Sequence, residues 1–494
     1  MAHLVASRSR FTLAAIAIAV IAWSTAASAQ NYRDIQPPVN VAQAKALSGQ
    51  VATSIRDAQP PNAAAQKVLE DFFMRHLYPS MTLYEDPVAL GQLAEKREQL
   101  FQRYINQAKS PQARDFLITN TLTAMNAIAK GNFHPAVRYN AALILGQLDA
   151  QPGVKPLPAG TDAMLAFLEN DQFNNIPVPT AVQVAALVSL QRHVRLGVEP
   201  AVAERITKTA LSVANREELP EDASTKAYGW VRRQAATVLA IQYENGLTPP
   251  VFQTFVRLIR DKKADIDDRC GVAQLLRPEM FKDAQGLSPP DMAVALGELA
   301  RDVLEIEAED AQEFLDEILG PGGGAIGGFA GGGRGVGGEG GFFGGECGFG
   351  GEGGFGGRGG GFTPMMQDQG PTYEKRRMID RTLAVVNGAQ ALAAGSSDEL
   401  KERLAEFSST IQAVAEAAAP DNAVNEVITD AVLDLRVEVD RLVSVWAPAP
   451  APADEVIEEE EEAEPAEAED AEEPAADAAE EPAPAPEAPA DAAG

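Results

Sequence analysis

Cysteine is nearly absent from this chain, with two residues in 494, so no disulfide framework can hold it and its stability rests on a buried core. Histidine is as scarce, with four residues. No His-Glu-x-x-His or Cys-x-x-Cys pair offers a zinc ion neighbouring ligands. The Gly-x-Ser-x-Gly elbow that exposes a nucleophilic serine does not occur, nor does an EF-hand loop. Aromatic residues make up 6% of the chain, and no Val- and Ile-rich stretches of period two with Asn-Gly or Asp-Gly turns suggest a sheet. No catalytic residue, cofactor or metal ligand is assigned, and the chain reads as a non-enzyme. Beyond the first thirty residues no stretch approaches the roughly eighteen uninterrupted apolar residues that a membrane helix needs.

What is present points to helices. Alanine supplies much of the apolar content, and apolar residues recur at three and four spacing nearly everywhere before Gly320, as on one face of a helix. The expected class is all-α. The start reads as a signal peptide spanning residues 1–29: Arg8 and Arg10, an apolar run from Phe11 to Trp23, and Ala27-Ser28-Ala29 before Gln30. The expected location is therefore exported, periplasmic or secreted.

Composition then divides the chain. Residues 30–64 are polar and interrupted by proline, and are expected to form a loose leader; residues 65–319 are expected to be ordered and helical. From Gly320 to Gly361, 26 of 42 residues are glycine. Glycine loses the most backbone entropy on ordering and brings no side chain to pack, so residues 320–372 read as a disordered linker. Helical periodicity returns over residues 373–446 in three segments, with a capping box expected at Ser396 and Glu399. These three could stand alone, dock on the preceding helices, or self-associate as a coiled coil; periodicity does not choose. Residues 447–494 are Ala, Pro, Glu and Asp almost without exception, a disordered acidic tail.

Within the helical region one pattern recurs. Val137-Arg138 is followed by Ala141-Ala142, Val231-Arg232 by Ala235-Ala236, and weaker copies keep Ala185-Ala186 in one case and Arg269 with Ala273 in another. Each signature is expected on the second helix of a pair: 115–130 with 134–148, 162–169 with 180–194, 202–214 with 227–243, and 250–260 with 265–276. The segment from about Asp115 to Leu276 resembles HEAT repeats of the armadillo-like superfamily. The resemblance implies an α-solenoid of stacked antiparallel pairs that binds protein partners, with the arginines in a polar ladder. The acid expected about six residues before each arginine is missing: Asn132, Lys226 and Lys263 stand there, and the second unit has Val182-Gln183 in place of Val-Arg. Flanking helices at 68–77, 90–108, 290–306 and 311–319 would cap the stack.

The net charge is −30, and roughly 18 carboxylates without a lysine or arginine lie in the tail. Such a surface repels nucleic acid and anionic membranes, which leaves protein as the partner class. Cys270, near the start of a signature helix, and Cys347, in the Gly-rich segment, could pair in an oxidising compartment, because that segment is long enough to bring the thiols together. The function expected from these features is a scaffold or adaptor binding protein through a HEAT-like surface. The alternative is a structural, envelope-associated protein acting through its Gly/Phe-rich segment and tail.

Overall fold

The computed structural model describes residues 32–220, 223–282, 286–319, 373–419 and 425–446, all within one compact unit that ends at Pro448. Among them the fold is all-α, as expected. Four helix pairs follow one another: α4 (Pro111–Lys130) with α5 (Pro135–Gln147), α6 (Pro158–Glu169) with α7 (Thr180–Leu196), α8 (Pro200–Asn215) with α9 (Thr225–Gln242), and α10 (Pro249–Arg260) with α11 (Ile266–Ala273). Proline opens five of these eight helices, where its missing N–H has no intrahelical partner to lose. Each helix packs on its partner in the pair. In addition α5 packs on α7, α7 on α9 and α9 on α11, while α4, α6, α8 and α10 contact one another in the same order.

Residues 30–64 were expected to be loose, and where they are described they are not. α1 (Val41–Arg56) starts with a capping box in which Asn40 and Gln43 bond each other's backbone N–H, and Val51 and Ile55 are fully buried. Its buried positions are seven and four residues apart, too few to stand out in a short polar window between prolines. α2 (Ala63–Phe72) follows and runs into a π-helical turn over Phe73–Leu77. The Phe72 to Tyr78 cluster is core: Phe72, Phe73, Leu77 and Tyr78 are buried, and Phe72 and Phe73 meet Tyr104 edge-on at 5.5 and 5.1 Å. α3 (Leu93–Gln99) lies against α5.

Two short hairpins interrupt the helices. β1 (Asp149–Gln151) pairs with β2 (Lys155–Pro156), and β3 (Gln172–Phe173) with β4 (Ile176–Pro177), both antiparallel. The second turns through Asn174 and Asn175, whose φ angles are 50° and 62°. Asparagine tolerates this left-handed conformation, so Asn-Asn replaces the Asn-Gly pair by which such turns are usually recognised.

The C-terminal helices settle the choice that periodicity left open, since they dock. α12 (Pro289–Leu319) is one helix where two were expected, and it packs on α10 and on α13 (Tyr373–Ala393), while α13 also packs on α11. α12 and α13 thus stand to each other, and to their neighbours, as the members of the four earlier pairs do. α14 (Asp398–Ala418) packs on α13, and α15 (Asn425–Ser444) on α12. The cap of α14 is Ser397, one residue later than expected, and its side chain accepts from the Leu400 N–H. Residues 320–372 and 447–494, read as linker and tail, lie outside the described residues. Even so, Arg377 on α13 pairs with Asp310 on α12 at 2.6 Å, so the segment 320–372 departs from and returns to the two helices of one pair.

Candidate functional site

The alanines of the repeated signature sit where successive second helices meet. Ala142, Ala185, Ala186, Ala235, Ala236 and Ala273 are fully buried, and Val137, Ala141 and Val231 nearly so. Small side chains let the backbones approach, and at Gly146 even a Cβ would collide with the Ser189 hydroxyl on α7. His193, fully buried one turn further along α7, completes this seam. Its Nε2–H donates to the Gly146 carbonyl at 2.8 Å and its Nδ1 lies 3.0 Å from Thr161 Oγ1, a hydroxyl from which a neutral ring accepts. Burial holds the imidazole below its ordinary pKa.

Each signature arginine reaches back to the open C-terminal end of its own first helix, whose last carbonyls lack intrahelical partners, and forward to the next pair, at Pro177, Asp261 or Asp302. Arg138 Nε donates to Ala129 O at 2.9 Å and Nη1 to Pro177 O at 2.7 Å. Arg269 Nε donates to Ile259 O at 2.7 Å, and its Nη2 pairs with Asp302 at 2.7 Å. Arg232 donates to Arg216 O and pairs with Asp261 at 2.9 Å. A cation at a helix C-terminus also meets the negative end of the dipole. In the second pair, which has no signature arginine, Asn170 at the end of α6 donates to Ala166 O instead. This role needs no acid six residues earlier.

A second regularity had no signal in any short motif. Hydrogen bonds or ion pairs join residues 43 apart at Tyr78 to Thr121, Arg97 to Asn140, Arg192 to Asp149, Gln191 to Gln234, Arg205 to Asp162, and Arg257 to the Ala214 carbonyl. These six fall within the 36 to 47 residues that other bonds between successive pairs span, as at Arg205 to Glu169 and His193 to Gly146.

A polar recess of about 540 Å³ lies where Lys226, Lys262, Asp267, Asp302, Glu305 and Arg377 converge from α9, the α10–α11 turn, α11, α12 and α13. Its floor is ionic. Arg381, with a side chain 7% exposed, donates to Asp267 at 2.6 Å and to Glu307 at 2.8 Å. Burial opposes its charge, yet these two carboxylates hold the guanidinium above its ordinary pKa. Burial pushes Glu307 up against the pull of Arg381. Beside the recess, burial raises Asp268 to about 6, with Arg233 3.6 Å away opposing the shift. Among the described residues, no group of three His, Cys, Asp or Glu side chains could hold a metal ion, and no helix is long and apolar enough to cross a membrane.

Cys270 is 4% exposed on α11, and burial pushes its thiol up to about 12; Cys347, its expected partner, lies outside the described residues. His76 and His134 lie at the N-terminal edge, far in sequence from His193, and the structure gives the three histidines separate roles. Comparison with protein-family models, curated proteins and solved structures finds no match. The functional reading therefore rests on geometry.

Proposed function

We propose that the helix pairs form a HEAT-like α-solenoid serving an exported, non-enzymatic protein as a scaffold for a protein partner. The observation that carries this reading is the recurrence of bonds between successive pairs at spacings of 36 to 47 residues. A stack in which each unit touches only its neighbours builds an extended surface, and such surfaces bind chains. The buried hydrogen bonds between α5 and α7 and the buried ion pairs among α11, α12 and α13 favour a rigid scaffold over a hinge. Val188, exposed on α7, and Trp230, half-buried on α9, supply apolar and aromatic groups of the kind found at interface centres.

The position of residues 320–372 supports a related role for the Gly/Phe-rich segment. Insertions within a repeat emerge on one face of an array, often the binding face. The helices before and after it are ion-paired, so the insertion falls within one pair of helices rather than between two separate units.

Affinity capture from envelope and periplasmic fractions, using the full mature chain as bait, tests both. Replacing Val188 and Trp230 together with Ser and Ala should abolish capture if the array binds, with the helical circular dichroism unchanged. Exchanging residues 320–372 for a ten-residue Gly-Ser loop should abolish it only if the displayed segment binds. Capture that survives the first change and fails with the second would overturn the scaffold reading in favour of the structural one.

A further inference from the structure

The N-terminal edge of the array carries a strap, residues Tyr32–Val39, pinned at several points. Arg33 N–H donates to Asn132 O at 2.7 Å, Ile35 N–H to Thr82 Oγ1 at 2.9 Å, and Val39 N–H to Arg75 O at 3.2 Å. In return the Tyr84 N–H donates to Asp34 at 3.2 Å. The Arg33 guanidinium lies 5.9 Å from the centre of the buried Phe133 ring.

Two histidines hold the strap, and a proton affects them differently. His76 Nδ1–H donates to Val39 O at 2.8 Å; an imidazole can donate from that nitrogen whether neutral or charged. His134 caps α5 with the opposite polarity: its Nδ1 accepts from the Ala136 N–H at 3.2 Å. An imidazolium has no acceptor, and its charge would sit at the positive end of the α5 dipole. The same ring forms the floor under the strap, with Tyr32 edge-on at 5.2 Å and Tyr84 parallel at 5.8 Å. Tyr32 and Tyr84 in turn meet edge to face at 5.5 Å.

We propose that His134 is a proton-operated latch: its neutral ring caps α5 and seats the strap, and protonation withdraws the cap and frees Tyr32–Val39 from the N-terminal edge of the array. The charged residues nearest in sequence to the groups that touch it are Arg33 and Asp34 on the strap, Glu85 beside Tyr84, Lys130 at the end of α4, and Arg138 one turn along α5. Burial alone lowers the His134 pKa, and none of these neighbours offsets it. The latch is set at neutral pH and opens as pH falls below the ordinary histidine range.

Hydrogen–deuterium exchange on the full mature chain at pH 7.5 and 5.0, corrected for intrinsic rates, tests the latch. Protection of residues 32–39 and of the first turn of α5 should fall about fivefold in acid, the effect of losing one N-cap. His134→Asn keeps a capping oxygen and removes the proton site, so its protection should be high at both pH values; His134→Ala should be low at both. Equal protection of the native chain at the two pH values would overturn the proposal, as would the same acid loss in His134→Asn. An NMR titration of the His134 ring supplies a second readout. A midpoint displaced by more than one pH unit from the midpoint of the exchange change would also overturn it.

Discussion

Two seams of this molecule do the same job with different chemistry. Between α5 and α7 the buried contact is neutral, Gly146 against Ser189 with His193 bridging to a carbonyl and a threonine hydroxyl, and the Arg192–Asp149 ion pair lies at its partly exposed end. Between α11, α12 and α13 it is ionic, with Arg381 between Asp267 and Glu307 and Arg269 against Asp302. α5 and α7 are joined by about thirty residues of ordered chain, so their meeting needs only close fit. α13 returns after the whole 320–372 segment, and its register on α11 and α12 has to be specified by something more discriminating than apolar packing. A buried arginine between two carboxylates does that, because any shifted register strands a charge.

The largest test of that contrast is Arg381→Met. It leaves Glu307 and Asp267 without their cation and should cost about 3–5 kcal/mol, read as a lower urea midpoint and as proteolytic release of residues 373–446. A loss of about 1 kcal/mol or less, no more than an average substitution costs, would mean that the ionic seam specifies nothing.

Next in size is Gly146→Val at the neutral seam, where a side chain would collide with Ser189. Overpacking of this kind costs about 1–3 kcal/mol. Pairing it with Ser189→Gly should restore part of the loss, and strict additivity of the two changes in denaturant midpoint would argue against direct contact. Arg138→Met should cost about 2 kcal/mol through the stranded Ala129 and Pro177 carbonyls, with the loss seen in thermal or urea unfolding.

Acid separates the seams by sign. His193 has a lowered pKa in the fold, so the unfolded chain takes up its proton first, and stability falls as pH drops below about 6.5. Asp268 has a raised pKa of about 6, and Glu307 is raised as well, so the folded state holds their protons more tightly. Their contribution grows as pH falls from about 6 toward the unfolded value near 4. His193→Gln should flatten the acid loss, and Asp268→Asn should steepen it, in urea midpoints measured from pH 7.5 to 4.5. The opposite slopes would break the comparison. The smallest effect expected is at Cys270, whose buried thiol should react with a thiol reagent only after unfolding, as counted in native and denatured protein.

Much of the helical framework was legible before any coordinates. Apolar spacing placed α4 to α11 within a few residues of their ends, and proline and small residues marked their starts. α1 was not legible: Val51 and Ile55 become apolar anchors only when α2 and α4 close over them. The single helix α12 was read as two because the acidic run from Glu305 to Asp310 breaks the apolar pattern, whereas in the fold Glu307 faces inward to Arg381. Of the candidate interaction surface, the signature alanines were visible as pairs. The arginines' role was not, because a carbonyl at a helix end leaves no mark on composition.

By itself the sequence determined the class, all-α and built from amphipathic helices, because helical periodicity and alanine content are local properties. It also determined where order was expected to give way, at Gly320 and Ala447, because glycine-rich and like-charged segments cannot bury enough surface to offset their entropy. The tertiary structure alone decided that α13 completes a pair with α12, that bonds between successive pairs span 36 to 47 residues, and that three histidines hold different joints. Each of these depends on groups that meet only when distant segments pack, and pairing across space leaves no periodic trace along the chain.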